Sequence, residues 1–145
     1  MLFRKRFTCK KSSLKSIRVF VSNALKNIGA LDSDTEMLVL ALDEICANRI
    51  IHSNSCNPNA YLDIYIFRKK EGIISFEIHD KGKSFNLLEY EEPCVNQLVK
   101  EKSTGGFGLI LIKKIMDKIE VETKGKKNIC RFTKELQSAQ QYYTN

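Results

Sequence analysis

Two short runs of alternating polarity constrain this chain most. Over residues 62–67, Leu62, Ile64 and Ile66 alternate with Asp63, Tyr65 and Phe67; over residues 74–78, Ile74, Phe76 and Ile78 recur at the same period. A period of two is that of a strand with one buried face. Glu71-Gly72 lies between the runs and supplies a turn, so the two segments read as an antiparallel hairpin. A lone hairpin is not stable in water. The rest of the chain must extend the sheet and cover its apolar face.

The cover is readable. From residue 12 to 28, Leu14, Ile17, Val21, Leu25 and Ile28 recur at helical spacing. Ser12 or Ser13 is expected to cap this helix and Gly29 to end it. A second helix is expected over 34–52, capped by Asp32 or Ser33, and a third over 105–118. Residues 2–10 alternate loosely and read as an edge strand. Residues 119–123 and 129–134 read as a last hairpin. The order is β-α-α-β-β-loop-α-β-β. The expected fold is α+β: a two-layer sandwich of a mixed, mostly antiparallel sheet with helices on one face. The 145 residues suit one domain over 1–145, with a polar tail after about 137.

The longest apolar runs, 37–42, 64–67 and 107–112, fall far short of the roughly 20 residues that span a bilayer. No apolar run follows the basic N-terminus, so no secretory signal is expected and the chain reads as cytoplasmic with no membrane partner. The five cysteines are odd in number and form no C-x-x-C pair, which argues against a disulfide framework or a zinc site. The net charge of +7 is concentrated in Arg4, Lys5, Arg6, Lys10, Lys11, Lys15 and Arg18, with no acid before residue 19. Such a patch is either a solvated basic surface or one able to attract nucleic acid or an acidic protein partner. No aromatic interleaving suggests base stacking, so direct nucleic-acid binding is not expected.

The second helix raises a chemical question. Its sequence from 41 to 54 is A-L-D-E-I-C-A-N-R-I-I-H-S-N. On a helical wheel Met37, Leu40, Ala41, Ala47 and Ile51 share a stripe with Glu44 and Asn48; Leu38, Val39, Leu42, Ile45, Cys46 and Ile50 lie opposite. A carboxylate within an apolar stripe is costly unless it has a partner. Either Glu44 and Asn48 bond a structural partner, or their stripe faces a pocket.

Two further stretches bear on that choice. In I-H-D-K-G-K-S-F, residues 78–85, a strand ends in Asp80 and Gly82 follows two residues later. Glycine there lets the backbone turn sharply or approach a ligand closely. Asp80 is placed to accept a hydrogen bond from a flat polar edge such as an adenine amino group, or else to make an Asx turn. In S-T-G-G-F-G-L-I-L-I, residues 103–112, three glycines precede an apolar helix, whose free N–H groups and positive dipole end suit phosphate. The intervening aperiodic stretch, about 84–104, is long for a loop and reads as a lid.

E-x-x-x-N on a helix, D-x-G after a hairpin, a variable loop and G-G-x-G opening a helix together resemble the ATP-binding domain shared by gyrase, histidine kinases, the large heat-shock chaperone and mismatch-repair proteins. Within that superfamily the chain is most similar to the bacterial anti-sigma-factor serine-protein kinases. The likeness is carried by L-A-L-D-E-I-C-A-N-R-I-I-H at 40–52, D-K-G-K-S-F-N at 80–86 and G-G-F-G-L-I-L-I-K-K-I-M-D-K-I-E at 105–120, and covers about residues 8–134.

The resemblance implies ATP and Mg2+ as cofactors and Glu44 as general base. It implies Asn48 as magnesium ligand, Asp80 as the adenine-recognising carboxylate and Gly82 beside it. Thr104, Gly105, Gly106, Phe107 and Gly108 fall at the phosphate-binding end of the lid. It further implies a homodimer that phosphorylates a serine of a small antagonist protein and binds a partner such as a sigma factor. A non-catalytic, nucleotide-gated binding module stands as the alternative.

Two positions depart from the pattern. Lys127-Asn128-Ile129 stands where a threonine is frequent, and Arg49 where a small residue is usual. Arg49 points away from Glu44 on the wheel and is expected at the surface or in helix packing. His52 lies within a quarter turn of Glu44 and is expected either to border the pocket or to serve the helix end. His79 alternates away from Ile78 and is expected at the surface.

Overall fold

The computed structural model describes residues 2–84 and 104–136; for 104–109 it describes the backbone alone. The elements are β1 (Leu2–Thr8), α1 (Ser13–Ile28), α2 (Asp32–Asn48), a π-helical turn (Arg49–Ser53), β2 (Tyr61–Lys70), β3 (Ile73–Asp80), α3 (Thr104–Ile115), β4 (Lys118–Lys124) and β5 (Lys127–Glu135). The expected lid falls almost wholly outside the described residues, and so does the polar tail.

The strands form one five-stranded sheet in the order β1-β2-β3-β5-β4. All four pairings are antiparallel, where a mixed, mostly antiparallel sheet was expected. The reason is topological. Helix α3 returns the chain so that β4 runs in the same direction as β3, but it is β5, reversed by the tight turn at Gly125, that lies beside β3.

One face of the sheet carries the apolar rows. Ile64 pairs with Ile78, which pairs with Cys130; Ile66 pairs with Phe76, which pairs with Phe132. All six are buried, together with Ile17, Val21 and Leu25 of α1, Leu38, Leu42, Ile45 and Cys46 of α2, and Ile112 and Ile115 of α3. Burying each large aliphatic or aromatic side chain contributes about 1.5–3 kcal/mol. This stripe fixes how the helices lie on the sheet. The next row toward the end of β3 is polar: Asp80 sits opposite Asn128.

The opposite face is an ionic lattice. Arg6 forks onto Asp63 through Nε–Oδ1 (2.8 Å) and Nη2–Oδ2 (3.1 Å). Arg131 Nε donates to Glu77 Oε2 at 3.1 Å. His79 bonds Glu77 Oε1 through Nε2 at 2.9 Å, and its ring lies 4.5 Å from that of Tyr65. His79 is therefore buried rather than at the surface as its alternation suggested, because its long charged and aromatic neighbours roof the sheet.

The helix ends differ in part from expectation. Gly29, at φ 92°, ends α1, its N–H donating to Leu25 O and Lys26 O. Ser12 holds the N-cap position but makes no side-chain cap bond; Ser13 Oγ instead lies 3.2 Å from Thr8 Oγ1. The N-cap of α2 is Leu31, so Asp32 and Asp34 fall inside the first turn, where the helix dipole favours acids. Helix α2 does not run α-helically to His52. After Asn48 it widens into the π turn, closed by Asn54 N to Arg49 O (3.0 Å) and Cys56 N to Ile50 O (2.9 Å). Among the described residues no helix is long and apolar enough to cross a membrane.

Candidate functional site

Helix α2 has two faces with different tasks. The stripe Leu38, Leu42, Ile45, Cys46 packs on the sheet. The stripe of Met37, Leu40, Glu44, Asn48 and Ile51 looks away from it and is partly open, with Leu40 half exposed. Glu44 and Asn48, four residues apart, are neighbours one turn along this second face.

Among the described residues neither side chain has a hydrogen-bond partner at its buried end. Burial first, and then the charge of neighbouring Asp43, pushes the Glu44 carboxyl above its ordinary value, and no hydrogen bond offsets this. Asn48 Nδ2 is buried without a hydrogen-bond partner. Buried polar groups are almost always paired, so this amide is available to a water, an ion or a ligand. A half-turn of the amide places its carbonyl oxygen in the same space. That donor set, an amide oxygen beside a carboxylate, suits an oxygen-preferring cation and the phosphates it carries.

The β3 end is built differently. Gly82 N donates to Asp80 Oδ1 at 2.8 Å, the Asx turn anticipated for D-x-G. A methyl group on Gly82 would meet Ser53 O at 2.5 Å and Asn54 Oδ1 at 2.6 Å. The close approach that requires glycine is thus to the chain's own loop after the π turn, which Lys83 N also grips through Ser53 O at 2.8 Å.

Arg49 is the largest departure from expectation. It is not at the surface: it is 2% exposed. Its Nε donates to Asp80 Oδ2 at 2.6 Å and its Nη2 to Asp80 Oδ1 at 2.7 Å; Nη2 also reaches Lys83 O at 3.2 Å. Burial alone would pull the guanidinium down, but the hydrogen bond and charge of Asp80 more than offset it, so the side chain stays charged. The wheel placed Arg49 opposite Glu44, and that holds. The face opposite Glu44 is the one that packs on the sheet, so pointing away from Glu44 means pointing inward.

Sequence reasoning left the roles of Asn128 and His52 open, and the structure places Asn128 beside Asp80. Its Nδ2 donates to Gly82 O at 2.7 Å and to Asp80 Oδ1 at 3.3 Å, while Thr123 Oγ1 donates to its Oδ1 at 3.3 Å. The signal was the register that sets it opposite Asp80, which a single strand does not reveal. His52 is exposed at the π turn. Thr104, Gly105, Gly106, Phe107 and Gly108 lie in the first turns of α3, one residue earlier than expected, and α3 packs along α2. The first four N–H groups of a helix have no partner within it, and glycine leaves them open to phosphate.

Comparison with known proteins agrees with this geometry. The family model described as a histidine kinase-like ATPase domain matches residues 7–134. The chain is 31% identical over 114 residues to a serine-protein kinase RsbW of Bacillus licheniformis, covering 73% of this chain and 68% of that protein. It is 30% identical over 110 residues to the Staphylococcus aureus protein of the same name, covering 72% and 69%. A third, from Halalkalibacterium halodurans, is 26% identical over 73% of this chain and 66% of its own length. The chain thus aligns with about two thirds of each. In structure it resembles the RsbU and RsbW domains of a Mycobacterium tuberculosis protein, with a TM-score of 0.67 at 14% identity over 94% of this chain and 32% of that one. A histidine kinase domain of Erythrobacter litoralis superposes with a TM-score of 0.52 at 13% identity, covering 89% and 65%. With a model matched over nearly its whole length and relatives at 30% identity and above, this chain belongs to the histidine kinase-like ATPase family, in the branch of the serine-protein kinases named RsbW.

Proposed function

We propose that the protein is an ATP- and Mg2+-dependent serine-protein kinase of the anti-sigma-factor type, acting on a serine of a small antagonist protein. The observation that carries this reading is the pair on the outer face of α2: a raised, unbonded Glu44 beside an Asn48 amide with no partner. The relatives' shared name, serine-protein kinase, supports the same chemistry.

In this reading Glu44 takes the proton of the acceptor serine as its oxygen attacks the γ-phosphorus of ATP, and ADP leaves with the broken bond's electron pair. A carboxyl raised by burial is a stronger base for that task than an exposed one. Asn48 would hold the metal through its amide oxygen, and the cation would supply charge neutralisation at the phosphates. The glycines of the first turns of α3 receive phosphate oxygens, and Asp80 with Gly82 marks the base end of the site. The residues at the metal and phosphate end fit this group. At the base end Asp80 is already bonded by Arg49.

In this reading the domain works in the cytoplasm as a homodimer, with a partner such as a sigma factor as the regulated species. The test is capture of partners in the presence of Mg-ATP, followed by label transfer from γ-labelled ATP. Serine labelling of a captured protein is the expected result. Capture that depends on ATP without any labelling would establish a nucleotide-gated binding module instead.

A further inference from the structure

Asp80 ends β3 in the polar row below the core, and every donor around it belongs to the protein. Oδ1 accepts from Arg49 Nη2 at 2.7 Å, Gly82 N at 2.8 Å and Asn128 Nδ2 at 3.3 Å; Oδ2 accepts from Arg49 Nε at 2.6 Å. Oδ2 keeps an unused lone pair, yet the Asp80 side chain has no exposed surface. The buried polar atom left without a partner in this pair is a donor, Arg49 Nη1. Among the described residues, an amino group approaching Asp80 finds its carboxylate already bonded and covered. It reaches the carboxylate only by displacing a guanidinium held in a side-on fork, the strongest geometry for such a pair.

We propose that Arg49 is a specificity-determining residue. By sequestering Asp80 it removes the acceptor that would read the 6-amino group of adenine, so the site takes 6-oxo purine nucleoside triphosphates as readily as ATP. The proposal deepens the nucleotide-binding reading given above and rests on it. The residue acts through chemistry on the base edge alone. The phosphate and metal end, built from Glu44, Asn48 and the start of α3, is common to every nucleoside triphosphate and does not discriminate.

The probes are ATP and inosine triphosphate, which differ at purine position 6 and carry no difference in the phosphates. Each is titrated calorimetrically with Mg2+ into wild-type protein. Binding of inosine triphosphate within about tenfold of ATP, or tighter, is expected; tenfold is the low end of what a mispaired buried polar group costs. A preference for ATP above about tenfold overturns the proposal. Arg49→Ala and Arg49→Met free the carboxylate and should each raise the ATP preference by about tenfold or more. An unchanged ratio in a variant that keeps its circular dichroism spectrum overturns it. Should the variants not fold, the wild-type ratio decides alone. Binding of neither nucleotide by folded wild-type protein is a separate result: it refutes the nucleotide site itself.

Discussion

Replacing Arg49 with Met tests whether the buried Arg49–Asp80 ion pair is formed. The substitution keeps most of the side-chain volume and removes the guanidinium. Three hydrogen bonds are lost, at 2.6, 2.7 and 3.2 Å. Asp80, with no exposed side-chain surface, is left with only Gly82 N and Asn128 Nδ2 as donors. Removing one partner of a buried pair costs about 3–5 kcal/mol, mainly because the other charge stays buried. For a chain of this size that corresponds to a fall in Tm of about 10–20 °C. The chain has no tryptophan, so urea and thermal unfolding are best followed by circular dichroism. The double variant Arg49→Met with Asp80→Asn leaves no buried charge and should recover much of the loss, giving a coupling well above the roughly 0.5 kcal/mol of independent sites. A loss below about 1 kcal/mol for Arg49→Met, with additive effects in the double variant, would refute the pair.

Gly82→Ala should destabilise by about 1–3 kcal/mol, since the new methyl meets Ser53 O and Asn54 Oδ1 inside 2.7 Å and the loop backbone must move; urea midpoints measure it. Glu44→Gln should stabilise the nucleotide-free protein. The fold raises the Glu44 pKa, so ionised Glu44 costs stability above that pKa, and the gain should vanish as pH falls below the ordinary glutamate range. Asp63 has the opposite sign: first the hydrogen bond from Arg6, and then its charge, hold it below its ordinary value against burial. Its contribution is thus full above the ordinary aspartate pKa and lost as pH falls through the depressed one. Asp63→Asn should therefore flatten the acid limb of the stability profile below the ordinary aspartate range, and an unchanged limb would remove the Arg6–Asp63 pair from the account.

Much of this was legible in the chain. The alternation at 62–67 and 74–78 located β2, β3 and their turn, and the helical spacing of Ile17, Val21 and Leu25 located α1. What could not be read were relations between distant segments. Arg49 continues the buried stripe of Leu42, Ile45 and Cys46, but a charge at the end of an apolar stripe is affordable only with a partner, and Asp80 lies 31 positions away. The partnership of Asp80 with Asn128 depends on the β3–β5 register, which β4 interrupts in sequence. The π turn at 49–53 leaves no periodic signature over five residues. His79 shows the limit of alternation: it identified the correct face of β3, while the ionic roof over that face came from β2 and β5. That Glu44 and Asn48 share one face was legible from spacing because both lie on one helix; their roles were implied only by the family resemblance.

The central claim is that Glu44 and Asn48, adjacent on α2, do different chemistry. The most direct test is label transfer from γ-labelled ATP to the captured serine-bearing partner, normalised to ATP bound, for wild type, Asn48→Ala and Glu44→Gln. Asn48→Ala should lose magnesium-dependent ATP binding and, with it, transfer. Glu44→Gln should bind ATP as wild type does while transfer per bound ATP falls by about 10²–10⁴-fold, the range of general acid–base catalysis. Loss of ATP binding by Glu44→Gln as complete as that of Asn48→Ala, or transfer undiminished in Glu44→Gln, would contradict the assignment of Glu44 as the base.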